Sequence, residues 1–384
     1  MIGMAASAAA AAQTPGKKVK LAVVGGGFGA SFYFHEHPRC EVAAVTDLYP
    51  ERRQRLRDTY KCDFVYGSLE EMLKRRNDLD AVAIFSDVPS HVKHAKMCME
   101  RGLHVLSAVP ACVSLEEAEE LRAVKEKTGR RYMMAETSYY RQACIFAREK
   151  YQNGEFGRIL YNEVEYYHDF NFEDRISKRP SLYFNPDGSN SWRQGWPPMH
   201  YPTHSIGLAV AVTRERVTSV SCLGIGDRAK MARIPNNRMK NPFFNEFALM
   251  ETSGGNVIRH NECRQIASQE MERAQWFGEK AALYMAIPGA MPDTWQPRYG
   301  KPAPANVPDY WKTDRLPAAM RHASGHGGSH TFITAEFISA VLENREPAVN
   351  VYEALAMTVP GIVAHQSALK NGERLRVPDF DRKA

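Results

Sequence analysis

Four histidines in two short segments have the chemistry to move protons or hold a metal. His200 and His204 bracket Tyr201-Pro202-Thr203, and His326 and His330 bracket Gly327-Gly328-Ser329. Histidine titrates near neutral pH, so either pair suits general acid–base work. On a continuous helix, a spacing of four would also present two imidazoles to a metal. Pro202 and the two glycines interrupt both segments, so no metal site is expected. Tyr201 could supply or orient a proton. Glu136, followed by Thr137, Tyr139 and Tyr140, ends an apolar run where a cofactor or ligand contact is expected.

A second group of residues suits a nucleotide. Leu21 to Val24 is an apolar run that enters Gly25-Gly26-Gly27-Phe28-Gly29-Ala30, and a helix-compatible segment follows. Gly25, Gly27 and Ala30 fall on the G-x-G-x-x-G/A fingerprint of dinucleotide sites. The first glycine permits the turn, the second lets a pyrophosphate approach, and the third position needs a small residue for packing. Free N–H groups at the following helix start would face the phosphates. Asp47 closes the next apolar run at the expected distance and would accept from both ribose hydroxyls. A carboxylate there repels a 2′-phosphate, which favours NAD over NADP.

These residues need a scaffold. From Val19 to about Thr137, short apolar runs alternate with amphipathic helical stretches, the pattern of a parallel, doubly wound sheet. Ser68 with Glu71, and Ser114 with Glu117, have capping-box spacing. Gly102 and Gly129 stand where helices should end. His91 follows Pro89 near the end of the fourth run, where open α/β sheets bind ligands. After Arg141 the texture changes. A helix over 143–151 precedes runs 159–169, 217–224, 244–251, 256–266 and 275–284, which alternate apolar with polar and suit an antiparallel sheet with one wet face. On the fourth of these, Ile258, His260, Glu262 and Arg264 share a face. Residues 287–317 are Pro-rich and read as a long surface loop, before helices near 331–342 and 352–369. The expected fold is an α/β Rossmann domain over 18–140 and an α+β domain with a mostly antiparallel, open-faced sheet over 141–384, the C-terminal helices packing back.

Composition narrows the classes. The 384 residues carry a formal charge of +6 without large blocks, so no nucleic-acid footprint is expected. No apolar run reaches membrane-spanning length. Seven scattered cysteines without C-x-x-C point to buried, reduced thiols. Residues 1–17 resemble the end of an export signal or a disordered tail, which leaves a periplasmic and a cytoplasmic location open.

The chain resembles the Gfo/Idh/MocA oxidoreductase family. The residues that carry the resemblance are Gly25–Ala30, Asp47, Ser86-Asp87-Val88-Pro89-Ser90-His91, Gly102-Leu103-His104-Val105, Gly154-Glu155-Phe156-Gly157-Arg158-Ile159, Asn241-Pro242-Phe243 and Gly325-His326-Gly327-Gly328. The resemblance implies NAD between two domains, a sugar on the second domain, and homo-oligomers. It also places Gly25, Gly27, Phe28, Gly29, Ala30, Asp47, Ser86, His91, Val109, Pro110 and Glu136 near the cofactor.

One departure stands out. The family's Glu-Lys-Pro becomes Ala108-Val109-Pro110, so Val109 replaces the lysine that helps deprotonate the sugar. The family's aspartate–histidine pair becomes His200 and His204. Together with Tyr201-Pro202-Thr203-His204, these changes look like the family's NAD-dependent glycosidase branch, similar to α-N-acetylgalactosaminidases. The resemblance then implies a retained NAD, oxidation of the sugar at C3, elimination of the aglycone, water addition and reduction. His204, matching the family's active-site histidine, is the first choice of base, with His200 and Tyr201 beside it. His260, Glu262, Arg264, Glu163, Tyr167, His326 and His330 are the candidate sugar contacts. A conventional sugar or polyol dehydrogenase is the alternative, and a catalytically inactive NAD- and sugar-binding protein is a second one.

Overall fold

Six strands form the N-terminal sheet: β1 (Val19–Val24), β2 (Cys40–Thr46), β3 (Val65–Tyr66), β4 (Ala81–Ile84), β5 (His104–Ser107) and β6 (Tyr132–Met134). They are parallel and ordered β3-β2-β1-β4-β5-β6, the Rossmann order. Helices α1 (Pro50–Tyr60), α2 (Leu69–Arg75), α3 (His91–Met99) and α4 (Leu115–Thr128) cover its two faces. This computed structural model describes residues 16–382 apart from 170–177, 179, 186, 233–236, 238 and 269, so nearly all of the 1–17 tail lies outside the described residues. Both helix caps form, with each glutamate reaching back to the N–H of the residue before the N-cap serine. Ser68 Oγ accepts from Glu71 N while Glu71 accepts from Gly67 N, and Ser114 and Glu117 repeat the arrangement.

The second half is a nine-stranded sheet ordered β14-β13-β12-β11-β7-β10-β9-β8-β15. Its strands are β7 (Ile159–Tyr167), β8 (Val217–Ile225), β9 (Asn245–Thr252), β10 (Val257–Cys263), β11 (Met271–Gly278), β12 (Ala281–Tyr284), β13 (Thr294–Pro297), β14 (Ala303–Pro304) and β15 (Leu375–Arg376). Only the β7–β10 pairing is parallel. Helix α5 (Gln142–Gln152) leads in from the first domain, and α6 (Thr203–Thr213), buried along almost its whole length, lies on the inner face. The outer face carries exposed Leu223, Ile225, Phe247 and Leu249. Helices α7 (Gly325–Leu342) and α8 (Val351–Leu369) return to the Rossmann half: Thr334 Oγ1 donates to Phe32 O, and Thr358 Oγ1 accepts from Ala111 N.

Three expectations need correction. The run 275–284 is two strands, because Glu279 and Lys280 turn the chain between β11 and β12. The Pro-rich stretch is not a bare loop: β13 and β14 extend the sheet edge, and Tyr310 and Leu316 are buried. No α-helix follows the glycine loop, only 3-10 turns at Gly29–Ser31 and Phe34–Glu36. The carbonyls that a helix would engage accept side-chain donors instead. Tyr60 Oη reaches Gly29 O at 2.5 Å, His330 Nδ1 reaches Ser31 O at 2.7 Å, and Thr334 Oγ1 reaches Phe32 O at 2.5 Å. Tyr33 at φ 56° also breaks the helical path. All seven cysteines are buried and unpaired.

Candidate active site

A cleft of about 1070 Å³ runs from the glycine loop to the inner face of the second sheet. Gly27 and Phe28 line one end, with Tyr49, Arg52 and Arg55 from β2–α1. Ser86, His91, Ala108 and Val109, at the C-terminal ends of β4 and β5, form the floor. Tyr166, Tyr201, His204, Arg264 and His326 form the far wall.

The glycines divide their work. Gly25 has φ +98°, and a Cβ there would lie 2.2 Å from Phe85 O, so only glycine fits. Gly29 packs the loop on the sheet, where a Cβ would meet Phe85 Cδ2 at 2.7 Å and Val23 Cγ1 at 3.1 Å. Gly29 thus packs tightly there, and Ala30 also packs against the core. Over Gly27 the nearest atom to an added Cβ is Arg52 Nη1 at 3.9 Å. That open approach, beside the Arg52 and Arg55 guanidinium groups, fits a pyrophosphate. Asp47 is anchored by Gly26 N at 2.6 Å and Tyr49 N at 2.8 Å. Each oxygen keeps a second lone pair for a ribose hydroxyl. The residues present therefore fit a dinucleotide, with Gly26–Phe28, Arg52 and Arg55 at its phosphates and Asp47 at its ribose. Ser86 Oγ pairs with His94 Nδ1, while His91 places its two nitrogens 2.8 Å from Pro110 O and 3.0 Å from Ser86 O. His91 thus ties the β4 and β5 ends together.

His204 is the focus of the far wall. It sits in the first turn of α6, and its Nδ1 donates to Glu136 Oε1 at 3.0 Å. Burial disfavours the imidazolium, but Glu136 outweighs it, with Glu272 and Glu262 assisting, and the pKa of His204 is raised. The partner effect is reciprocal. Burial would push Glu136 up, yet His204 holds its pKa below the usual value. Ser138 N also donates to Glu136 Oε1 at 2.8 Å. Nε2 of His204 has no protein partner among the described residues. A second buried carboxylate, Glu272, accepts two bonds from Arg141 and one from Ser138 Oγ. Burial opposes ionisation, but Arg141 keeps its pKa at about 2. Ser138 Oγ lies 2.7 Å from His204 O, so this network also fixes the start of α6.

Tyr166 and Tyr201 flank His204, with ring centroids 5.1 and 5.2 Å away. The Arg264 guanidinium stands over both tyrosines at 4.8 and 5.4 Å. His326, at φ 52° in a left-handed turn ahead of the regular part of α7, lies 6.3 Å from His204 with near-parallel rings. Trp192, Arg193 and Trp196 complete the outer wall.

Several predicted site residues lie elsewhere. Glu136 is fully buried behind His204 and does not face the cofactor end; its role passes through the histidine. His200 is also buried, against Trp196 and His365, and burial takes its pKa to about 3. It is not on the cleft. His260 and Glu262 share the inward face of β10, but α6 covers that face. His260 Nε2, Glu262 Oε1 and Ser205 Oγ bond to one another there. Glu163 and Tyr167 point to the outer face, where Glu163 pairs with Arg259 at 2.7 Å and Tyr167 with Asn261. His330 is buried behind His326. The residues that sequence reading missed are Tyr166 and His168, one position out of step with Tyr167, and the Trp192–Trp196 wall. Alternation along β7 could have offered Tyr166 as the other face. Two tryptophans four apart in a non-periodic segment were the signal for the wall. Among the described residues, no group of three or more His, Cys, Asp or Glu could hold a metal, and no helix is long and apolar enough to cross a membrane.

Comparison with known proteins agrees with this layout. Residues 19–136 match the oxidoreductase family model with an NAD-binding Rossmann fold, and residues 291–384 match the C-terminal domain of glycosyl hydrolase 109. A glycosyl hydrolase family 109 protein of Streptomyces coelicolor is 23% identical, over 100% of this chain and 91% of that protein. Solved structures share the fold. The myo-inositol 2-dehydrogenase of Lactobacillus plantarum has a TM-score of 0.72 at 15% identity, covering 94% of this chain and all of its own. The inositol dehydrogenase homolog of Azotobacter vinelandii, solved with NADH and myo-inositol, has a TM-score of 0.70 at 18% identity, over 94% and 98% of the two chains. The chain thus joins a segment that matches the Gfo/Idh/MocA oxidoreductase model with its NAD-binding Rossmann fold to one that matches the C-terminal domain of glycosyl hydrolase 109.

Proposed function

We propose that this protein is an NAD-dependent glycosidase that works by a redox-neutral cycle at C3 of a sugar ring. The observation that carries the reading is His204, which is backed by the buried Glu136 and lines the same cleft as the glycine loop while Val109 lines the floor. NAD would be held by Gly26–Phe28, Arg52, Arg55 and Asp47, and would supply a reversible hydride acceptor. Val109 cannot move a proton, so proton handling falls to the far wall. His204 Nε2 is the exchange point: Glu136 fixes Nδ1 as donor and stabilises the cation that forms. Tyr201 and Tyr166 exclude water on both sides of that imidazole. Arg264 lies over their rings, where it can meet sugar hydroxyls.

A cofactor reduced and reoxidised within one cycle need not leave. The nucleotide is therefore retained as a prosthetic group, and NAD should survive purification. The test uses aryl glycosides of each anomer with no added NAD. Aglycone release without accumulation of NADH supports the cycle. Steady NADH formation with an intact glycosidic bond would establish a dehydrogenase instead. NAD binding without turnover of any glycoside or free sugar would leave a binding protein.

A further inference from the structure

His326 and His330 form a hydrogen-bonded chain whose direction the backbone dictates. His330 Nδ1 lies 2.7 Å from Ser31 O, and a carbonyl only accepts, so this nitrogen carries the proton. His330 is buried, stacked on Phe32 with ring centroids 4.4 Å apart. Burial drives its pKa to about 4, so its ring is neutral and Nε2 is a bare acceptor. His326 Nδ1, 2.8 Å from that nitrogen, must therefore be the donor. This leaves the lone pair of His326 on Nε2, which has no protein partner among the described residues, and the ring lines the cleft. His204 has the opposite backing: a carboxylate rather than a neutral imidazole. Gly325 is part of the construction, since a Cβ there would lie 2.3 Å from the His330 ring.

We propose that His326 is the proton acceptor of this cleft, paired with His204 as donor, and that His330 is the positioning residue that fixes its tautomer. The proposal rests on the glycosidase reading above. In the elimination, His326 Nε2 takes the proton from the carbon beside the oxidised C3. The electron pair of that C–H bond becomes the new C=C bond. The C1–aglycone bond breaks, and the glycosidic oxygen keeps the pair and takes the proton held on His204. His326 ends protonated, His204 neutral, and the aglycone leaves as a neutral alcohol. Water addition runs the same transfers backwards. The arrangement follows a general rule: acid and base are assigned where the environments of two titratable groups push them apart. His326 has its pKa lowered by burial first and by His204 next, with Arg141 adding to this and Glu272 and Glu136 opposing it.

The test compares His330→Phe, His330→Gln and His330→Asp with wild type, all as holoprotein. Phenylalanine keeps the stack on Phe32 and removes both nitrogens; glutamine keeps one donor and one acceptor. Nitrogen-15 NMR of histidine-labelled wild type should show His326 protonated at Nδ1 and bare at Nε2 at neutral pH. His330→Phe should lose that signature and lower kcat about 100-fold with little change in KM. His330→Gln should recover most of both. His330→Asp should move the acid limb of the pH–rate profile upward, because a carboxylate would then back His326. Wild-type His326 found protonated at Nε2 overturns the proposal, as does His330→Phe with unchanged spectrum and kcat. The NMR result needs no turnover, so failure of the glycosidase reading is distinguishable from failure of this one.

Discussion

Two histidine–glutamate pairs meet helix α6 at its neighbouring residues His204 and Ser205. On the cleft side His204 Nδ1 lies 3.0 Å from Glu136, and on the sheet side His260 Nε2 lies 2.9 Å from Glu262. The distances are the same within a tenth of an ångström or so, and all four side chains are buried or nearly so. What differs is the other ring nitrogen. In His204 it faces the cleft, and in His260 it is enclosed without a partner among the described residues. The residue pair alone does not make a catalytic device. The covering of the second nitrogen decides whether it exchanges protons with a ligand or braces a helix on a sheet.

That difference can be broken in both directions. The largest effect is expected from Glu136→Gln. It removes the charge behind His204 and should lower kcat about 100- to 10,000-fold, with NAD content unchanged. Steady-state kinetics and the nucleotide released on denaturation check both halves. On the sheet side, His260→Phe leaves Glu262 without its imidazole partner. Glu262 keeps Ser205 Oγ and Arg264, so the loss is that of one buried hydrogen bond, about 1–3 kcal/mol. The variant should melt earlier, yet turn over normally per folded molecule.

A smaller effect separates buried from cleft histidines by pH. His200 has a folded pKa of about 3 against an ordinary 6.5. As pH falls through that window the unfolded chain takes the proton first. The stability tied to its neutral form is present above 6.5 and is lost toward 3. His204 has the opposite sign: its pKa is raised, so its contribution is full below the unfolded value and is lost as pH rises through the folded one. His200→Phe should therefore shrink the difference in Tm between pH 7 and pH 4, while Glu136→Gln should lower the Tm most where Glu136 is ionised and His204 still protonated, and least on the alkaline side, where the pair's contribution is already lost. Smallest for stability is Gly27→Ala, which meets open space and should weaken NAD retention without lowering the Tm of the apoprotein. Gly25→Ala, against Phe85 O, should impair folding.

The legible parts of the fold were those fixed by near neighbours in the chain. The helix caps at Ser68 and Ser114, the turn at Gly25 and the alternation of strand and helix all follow from local rules. Asp47 and His204 were legible through motif resemblance. Facing was not. The alternation on β10 shows that His260 and Glu262 share a side, but nothing local says that α6 covers it. On β7 the same ambiguity selected Tyr167 and Glu163 in place of Tyr166. His200 was placed by its spacing from His204, yet Pro202 ends the 3-10 turn before α6 begins and sends the two rings to different sides. The glycine loop lacks its helix because Tyr60, His330 and Thr334, remote in sequence, satisfy its carbonyls.

The most direct measurement is hydrolysis of an accepted aryl glycoside in D2O, with NMR of the sugar released. The account predicts one deuterium on the carbon beside C3, taken up from solvent through the histidines. It also predicts that the C3 hydrogen is the substrate's own, returned from the cofactor. Product with no carbon-bound deuterium would mean that no C–H bond was broken next to C3, and would contradict the cycle.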